Sequence, residues 1–321
     1  MIDAYLHLGG PRFGSAELAL REMDRHGIDR GILVLSPTSA DFAAVRAARK
    51  LRGVRVRMVG NPYGETDAER SELIAWQIAL GITALRLMPH DVAANQKGLE
   101  LMGEAGRWLF AINPYDHPEV LESLLAWLEK YPSGRIAMPH CLKPIPFDQL
   151  PAPETFRKFL AHPRVFPILS RQGGTGTKES YPHADLRPWV DDVFETAGAE
   201  KILWASEYPV LIYRDETLTQ AIDWIRELIP ELSDSDYKAF TEGNAARIFF
   251  DEAAPEDRAG PIPEWFQPDI RNGWSPPYAQ RGIKISPDAA EVLLKEYLDQ
   301  LDPAEPITYS EFLSKWIDSK L

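Results

Sequence analysis

The chain opens with Met1-Ile2-Asp3-Ala4-Tyr5-Leu6-His7, a short apolar run that ends in polar side chains at alternate positions. Side chains two apart on a strand share a face, so Tyr5 and His7 are expected to project together into whatever the strand end lines. Seven further apolar runs follow, starting near residues 30, 54, 82, 107, 134, 164 and 201, so that successive starts fall 24–37 residues apart. Amphipathic stretches lie between them, among them Ser15–His26 and Val120–Lys130. In the second, Val120, Leu121, Leu124, Leu125 and Leu128 follow the spacing of a buried helix face.

Eight strand–helix units argue for an α/β fold of the closed (β/α)8 TIM barrel type. An eight-stranded doubly wound sheet is the alternative, weakened because no nucleotide-binding glycine pattern follows the first run. The barrel is expected over residues 1–251, and residues 252–321 read as a C-terminal extension. Pro261, Pro263, Pro268, Pro276 and Pro277 forbid long helices early in that tail. Trp265, Phe266, Trp274 and Tyr278 make it too apolar for a free linker. It is expected to pack on the barrel, or to bury against a second copy of the chain and so form a homodimer. Ser286-Pro287 then opens a helix, and Thr308 with Glu311 forms a capping box for a last one.

The formal net charge of -13 opposes partners such as nucleic acid or anionic membrane and leaves a small molecule as the expected ligand. A single cysteine, Cys141, precludes an intrachain disulfide, as suits a reducing cytoplasm. No apolar run reaches the length of a membrane span, and the first residues carry no signal-peptide pattern.

Active sites of such barrels lie at the carboxyl ends of the strands. That rule places His7, His90 and His140 at or just after strand ends, and His117 and His183 in the loops beyond, whereas His26 and His162 fall on the opposite face. The last run, Lys201-Ile-Leu-Trp204-Ala-Ser206-Glu207-Tyr208-Pro209, ends in a carboxylate that needs a partner if desolvated. Arg86 lies within the fourth run and points either into the barrel, as a cation seeking an anion, or outward to a helix. Arg171 opens a glycine-rich loop, Arg171-Gln-Gly-Gly-Thr-Gly-Thr177, that either closes over a substrate or stays on the surface; it lacks the Lys of a phosphate loop.

Ile2-Asp3-Ala4-Tyr5-Leu6-His7, Met138-Pro139-His140, Lys201–Pro209 and Gly243-Asn244-Ala-Ala-Arg-Ile-Phe249 together resemble the amidohydrolase superfamily. The resemblance is to its amidohydrolase-related branch, with the aminocarboxymuconate-semialdehyde decarboxylase-like enzymes and the lactonases. It spans residues 1 to about 250. It implies a His-x-His pair, a fifth-strand histidine and an eighth-strand aspartate around a divalent metal, with a sixth-strand histidine polarising the substrate carbonyl. His7 and His140 match. Tyr5 replaces the first histidine, Asn113 the fifth-strand histidine and Glu207 the aspartate.

Zinc in a catalytic site takes three good protein ligands, and only His7 and Glu207 qualify here. The expected enzyme is therefore a hydrolase of a small anionic lactone, ester or amide without tightly bound metal. Glu207 activates water, and His140, His7 and Tyr5 donate hydrogen bonds to the carbonyl. Arg86, Arg171, Asn113 and His90 contact substrate. One rival is a metal-dependent hydrolase or decarboxylase that holds an ion such as zinc through His7 and Glu207. The other is a catalytically silent barrel that binds a ligand or partner.

Overall fold

The computed structural model describes residues 1–10, 12–37, 40–142, 150, 152–266, 286–302 and 307–319. Its strands are β1 (Ile2–Leu8), β2 (Arg30–Leu35), β3 (Val56–Gly60), β4 (Ala84–Leu87), β5 (Trp108–Ala111), β6 (Ile136–Met138), β7 (Val165–Leu169) and β8 (Leu203–Trp204). They pair in chain order, each parallel to the next. The segment leaving β8 closes the ring onto β1. His7 N donates to Tyr208 O at 2.7 Å, and Glu207 N donates to Tyr5 O at 3.0 Å. The fold is the expected (β/α)8 barrel.

Helices α1 (Ala16–Arg25), α2 (Phe42–Arg52), α3 (Asp67–Leu80), α4 (Pro89–Ala94), α5 (Gln96–Glu104), α6 (Pro118–Lys130), α7 (Glu154–Ala161) and α8 (Arg187–Ala197) return the chain between strands. After β8 come α9 (Leu218–Leu228), α10 (Asp234–Lys238) and α11 (Asn244–Phe249). Local sequence sets several starts. Ser15 Oγ accepts from Leu18 N, and Thr66 with Glu69 and Thr217 with Gln220 form capping boxes.

Alternation along the strands sorts the core into two shells. Ile32, Val34, Val59, Ala84, Phe110, Ala137, Phe166, Ile168 and Leu203 fill the barrel with Ile248 and Phe249 of α11. Leu33, Leu35, Leu85, Leu87, Leu109 and Leu169 face the helices. The first strand breaks the alternation. Asp3 pairs with Gly31 but Leu6 pairs with Leu33, so β1 carries one extra residue, a β-bulge. Ile2 and Ala4 belong to the inner shell, and so does Tyr5, whereas Leu6 and Leu8 turn outward. The bulge thus places Tyr5 and His7, rather than Leu6 and Leu8, on the inner face. The Asp3 carboxylate braces it, accepting from Tyr5 N at 3.1 Å, from Ser206 N at 3.2 Å and from Ser206 Oγ.

The tail packs on its own barrel where it is described. Arg57 Nη2 donates to Glu252 O at 2.8 Å, Trp76 Nε1 donates to Pro261 O at 3.0 Å, and Phe266 lies against Phe42 and Tyr63. Residues 267–285, with Pro268, Trp274, Pro276, Pro277 and Tyr278, lie outside the described residues. Helix α12 (Pro287–Gln300) opens at Ser286, and α13 (Tyr309–Asp318) carries the Thr308–Glu311 capping box, both as expected. They seat against α1 and the loop after β8: Arg21 pairs with Asp299 at 2.6 Å, Arg25 Nη1 donates to Leu298 O at 2.7 Å, and Ser310 N donates to Asp215 Oδ1 at 3.0 Å. No helix among the described residues is long and apolar enough to cross a membrane.

Leu294 is 1 % exposed at the seat of α12. Leu294→Ala is expected to lower stability by about 2–4 kcal/mol, the usual cost of emptying a buried leucine site, measured as a shift in the urea unfolding midpoint. A shift of only a few tenths would show that α12 is not part of the cooperative fold.

Candidate active site

The residues expected at the mouth come together at the carboxyl ends of the strands. Tyr5 is fully buried, its ring edge-on between two imidazoles: His7 with centroids 5.0 Å apart and His140 with centroids 4.9 Å apart. The His7 ring also stacks on Phe13 at 4.4 Å. Arg86 points inward, and its Nε donates to the Tyr5 hydroxyl oxygen at 3.0 Å, which settles the direction its sequence left open. That bond occupies a lone pair of the phenol and leaves its proton free. Burial pushes the Tyr5 phenol up, so it stays protonated.

Four successive strand exits share a left-handed backbone: Asn113 with φ 50°, His140 with φ 61°, Arg171 with φ 69° and Glu207 with φ 58°. Each follows its strand by two or three residues and turns its side chain off the strand line. Such a conformation costs a non-glycine residue on the order of 1–3 kcal/mol and persists only where surrounding contacts enforce it. The contacts are present at His140: its amide donates to Ser170 Oγ at 3.0 Å, and the same hydroxyl lies 3.0 Å from His140 Nδ1. His140 Nε2 then faces Glu207 Oε1 at 3.4 Å.

Glu207 is 3 % exposed. Its Oε2 accepts from Arg214 Nη1 at 2.8 Å and lies 3.9 Å from Arg171 Nε. Arg214 Nε in turn donates to Glu216 Oε1 at 2.8 Å. This network packs against Gly173-Gly174 of the glycine-rich loop. A Cβ on Gly173 would meet Glu216 Oε1 at 2.4 Å, and one on Gly174 would meet Arg171 Cγ at 2.7 Å and Arg214 Cζ at 3.0 Å. The two glycines are therefore a packing requirement of the arginine cluster. Arg12 lies within electrostatic reach of Glu207, Arg171 and Arg86.

Both central histidines are neutral. Burial holds His7 down to about 3. Burial first, then Arg171, Arg86 and Arg214, hold His140 well below the usual imidazole range. The His7 Nδ1 lies 3.1 Å from Val34 O, and a carbonyl only accepts, so the ring proton sits on Nδ1 and Nε2 presents a lone pair. His7 is thus an acceptor toward the mouth, not the donor expected from sequence. His140 can act as the donor: Ser170 Oγ–H donating to Nδ1 leaves the ring proton on Nε2.

Other expected residues fall elsewhere. The His90 side chain is 78 % exposed at the start of α4 beside Asp91, so it does not join the cluster. Asn113 Oδ1 accepts from Tyr115 OH at 3.1 Å, an engagement within its own loop. His117 pairs with Glu119 on the surface, and His183 is buried with Nδ1 donating to Glu179 O at 2.9 Å. Sequence reasoning missed Arg214, Arg12 and Ser170. Ser170 immediately precedes Arg171 at a strand end, a usable signal. Arg214 ends a short 3-10 turn, Ile212–Arg214, with no pattern around it.

Residues 4–250 match the amidohydrolase family. The chain belongs to this family. A stretch of 98 residues is 37% identical to an L-fucono-1,5-lactonase of Burkholderia ambifaria, covering 29% of this chain and 32% of that protein, so the chain matches about a third of this curated relative's length. Among solved structures, a putative 2-pyrone-4,6-dicarboxylic acid hydrolase from Pseudomonas putida superposes with a TM-score of 0.61 at 19% identity, over 78% of this chain and 98% of that one. An amidohydrolase from Burkholderia multivorans with bound zinc superposes with a TM-score of 0.57 at 15% identity, over 77% and 98% of the two chains. At such identities the two structures speak for the shared fold.

The metal implied by the family resemblance does not fit these residues. No group of three or more His, Cys, Asp or Glu side chains that could hold an ion occurs among the described residues. The Tyr5 hydroxyl is paired with Arg86, and Glu207 with Arg214. A divalent cation beside them would face guanidinium groups where the metal-binding pattern supplies ligands.

Beneath the mouth, burial raises the Asp3 carboxyl to about 7, against opposing bonds from Ser206 and Tyr5. An unfolded aspartate titrates near 4, so between about pH 4 and 7 the folded amidohydrolase holds a proton the unfolded chain has lost. Stability from this group is complete below about pH 4 and is lost as pH rises through 7. The stability difference between wild type and Asp3→Asn should therefore fall by up to about 4 kcal/mol across that window. Denaturant melts at both ends test it, and a pH-independent difference would contradict it.

Proposed function

We propose that this amidohydrolase hydrolyses a small anionic lactone or related ester without a tightly bound metal. The observation that carries the reading is the pairing at the mouth of one buried carboxylate, Glu207, with a neutral imidazole, His140, inside a ring of arginines. Arg12, Arg86, Arg171 and Arg214 outnumber the carboxylates they touch, Glu207 and Glu216, in a chain whose overall charge is -13. Such a local excess of guanidinium in an acidic protein favours a substrate that brings its own negative charge.

Each group then has a role that follows from its protonation. Water donates one hydrogen to Glu207 and the other to the His7 Nε2 lone pair, which turns an oxygen lone pair toward the acyl carbon. As the carbon–oxygen bond forms, Glu207 takes a proton. His140 Nε2–H and the free Tyr5 hydroxyl proton stabilise the charge that develops on the carbonyl oxygen. The acyl–oxygen bond to the ring oxygen breaks, and the proton held by Glu207 passes to that oxygen, giving the hydroxy acid. Arg214, anchored by Glu216, orients Glu207, while Arg171 and Arg86 hold the substrate's carboxylate.

2-Pyrone-4,6-dicarboxylate, which carries the expected carboxylates, is the first probe and the neutral L-fucono-1,5-lactone its uncharged comparison, with acid release followed by a pH indicator. Glu207→Gln should leave the far-ultraviolet spectrum unchanged and lower turnover by about 10²–10⁴-fold, the range for loss of a general base. Turnover at the wild-type rate in that variant would refute the mechanism.

Arg171→Ala should raise KM about 10–100-fold with a smaller effect on kcat, as expected when a charge-assisted hydrogen bond to substrate is lost. Chelation should leave activity intact. Activity lost on chelation and restored by zinc or manganese would favour the metal-dependent rival.

A further inference from the structure

Tyr5 and His7 face the mouth only because β1 carries an extra residue between Asp3 and Leu6. A strand without it would continue the pattern of Ile2 and Ala4, turning Leu6 and Leu8 inward and both site residues outward. Hydrophobicity does not choose between the two arrangements. Leu6 and Leu8 are 1 % and 0 % exposed where they stand, under the helices, and they are apolar enough for the inside. A local polar device has to decide the register.

The described contacts supply one. Asp3 accepts from the Tyr5 amide within the bulge and from both the amide and the hydroxyl of Ser206 across the seam. Ser206 Oγ accepts in turn from Tyr208 N at 2.9 Å. These four bonds adjoin the two backbone bonds that close the barrel, His7 N to Tyr208 O and Glu207 N to Tyr5 O. Asp3 is 0 % exposed and touches none of the groups assigned to substrate. Its carboxyl is committed to the two segments that present Tyr5 and His7 on one side and Glu207 on the other.

We propose that Asp3 is a positioning residue of the active site, its carboxyl holding the β1 bulge that turns Tyr5 and His7 inward and locking that bulge to the segment bearing Glu207. The assignment rests on the reading of Tyr5, His7 and Glu207 as the site. His140 provides an internal control for folding: its ring packs on Tyr5 of β1, but Ser170, beyond β7, bonds its amide and Nδ1.

The test uses the full chain with isotope-labelled histidine and long-range nitrogen–proton NMR, which reports the tautomer of each ring without any substrate. In the wild type, His7 carries its proton on Nδ1, bonded to Val34. Asp3→Ala should abolish that signature while His140 keeps its tautomer, its shifts moving only as the neighbouring Tyr5 ring leaves. Asp3→Asn should restore it, because the amide oxygen can accept from the two backbone amides and its NH2 can donate to Ser206 Oγ. A His7 signature that survives in Asp3→Ala overturns the proposal; simultaneous loss of the His7 and His140 signals marks general unfolding and passes the decision to a second variant. If Asp3→Ala does not fold, Ser206→Ala decides: a His7 that loses its Nδ1 tautomer while His140 keeps its own supports the clamp, and any other pattern refutes it. Failure of every lactone probe would count against the hydrolase reading and leave this result readable.

Discussion

A ring of eight strands has to close, and here it closes where β8 is only two residues long. The seam between β8 and β1 depends on a buried carboxyl, Asp3, that gathers hydrogen bonds from both sides. Desolvating that group is costly, and its elevated affinity for a proton reflects the cost. What the cost secures is orientation. Tyr5 and His7 enter the mouth from one side of the seam and Glu207 from the other, and their backbones are bonded to one another across it.

The electrostatics above the seam follow from burial. The imidazoles of His7 and His140 are too deeply desolvated to carry charge, so the positive potential of the mouth comes from arginines, whose guanidinium groups stay ionised even when buried. Glu207 is the counter-charge that permits Arg214 to sit 18 % exposed. In the proposed reaction this division matters. A neutral imidazole has one fixed donor and one fixed acceptor, and the neighbours of Nδ1 decide which faces substrate. Val34 O makes His7 an acceptor, whereas the Ser170 hydroxyl can donate to His140 Nδ1 and leave Nε2–H facing Glu207.

Much of this was legible in the chain itself. The spacing of apolar runs pointed to the barrel, and the strand-end rule brought His7, His140, Glu207 and Arg171 to one face. Tyr5, Asn113 and Glu207 stand where the resemblance implies metal ligands, and that departure too is visible in the sequence. The strand-end rule misled at His90. A residue just past a strand is aimed by the helix it starts, and α4 turns His90 to solvent. Arg214 was invisible because nothing about an arginine in a short turn says that a carboxylate seven residues away will claim it.

The sequence by itself determined the fold class and the family, and it named His7, His140, Glu207 and Arg171 as side chains at strand ends. Each of these is written in local periodicity and in the identity of side chains at strand ends. Only the tertiary structure decided which way Arg86 points, which nitrogen of His7 carries the proton and why Tyr5 lies inside at all. Those outcomes belong to partners distant in the chain: Arg86 meets Tyr5, His7 meets Val34 and Asp3 meets Ser206. A one-residue bulge reverses the face of every side chain beyond it, and an alternating pattern cannot reveal where that residue is inserted.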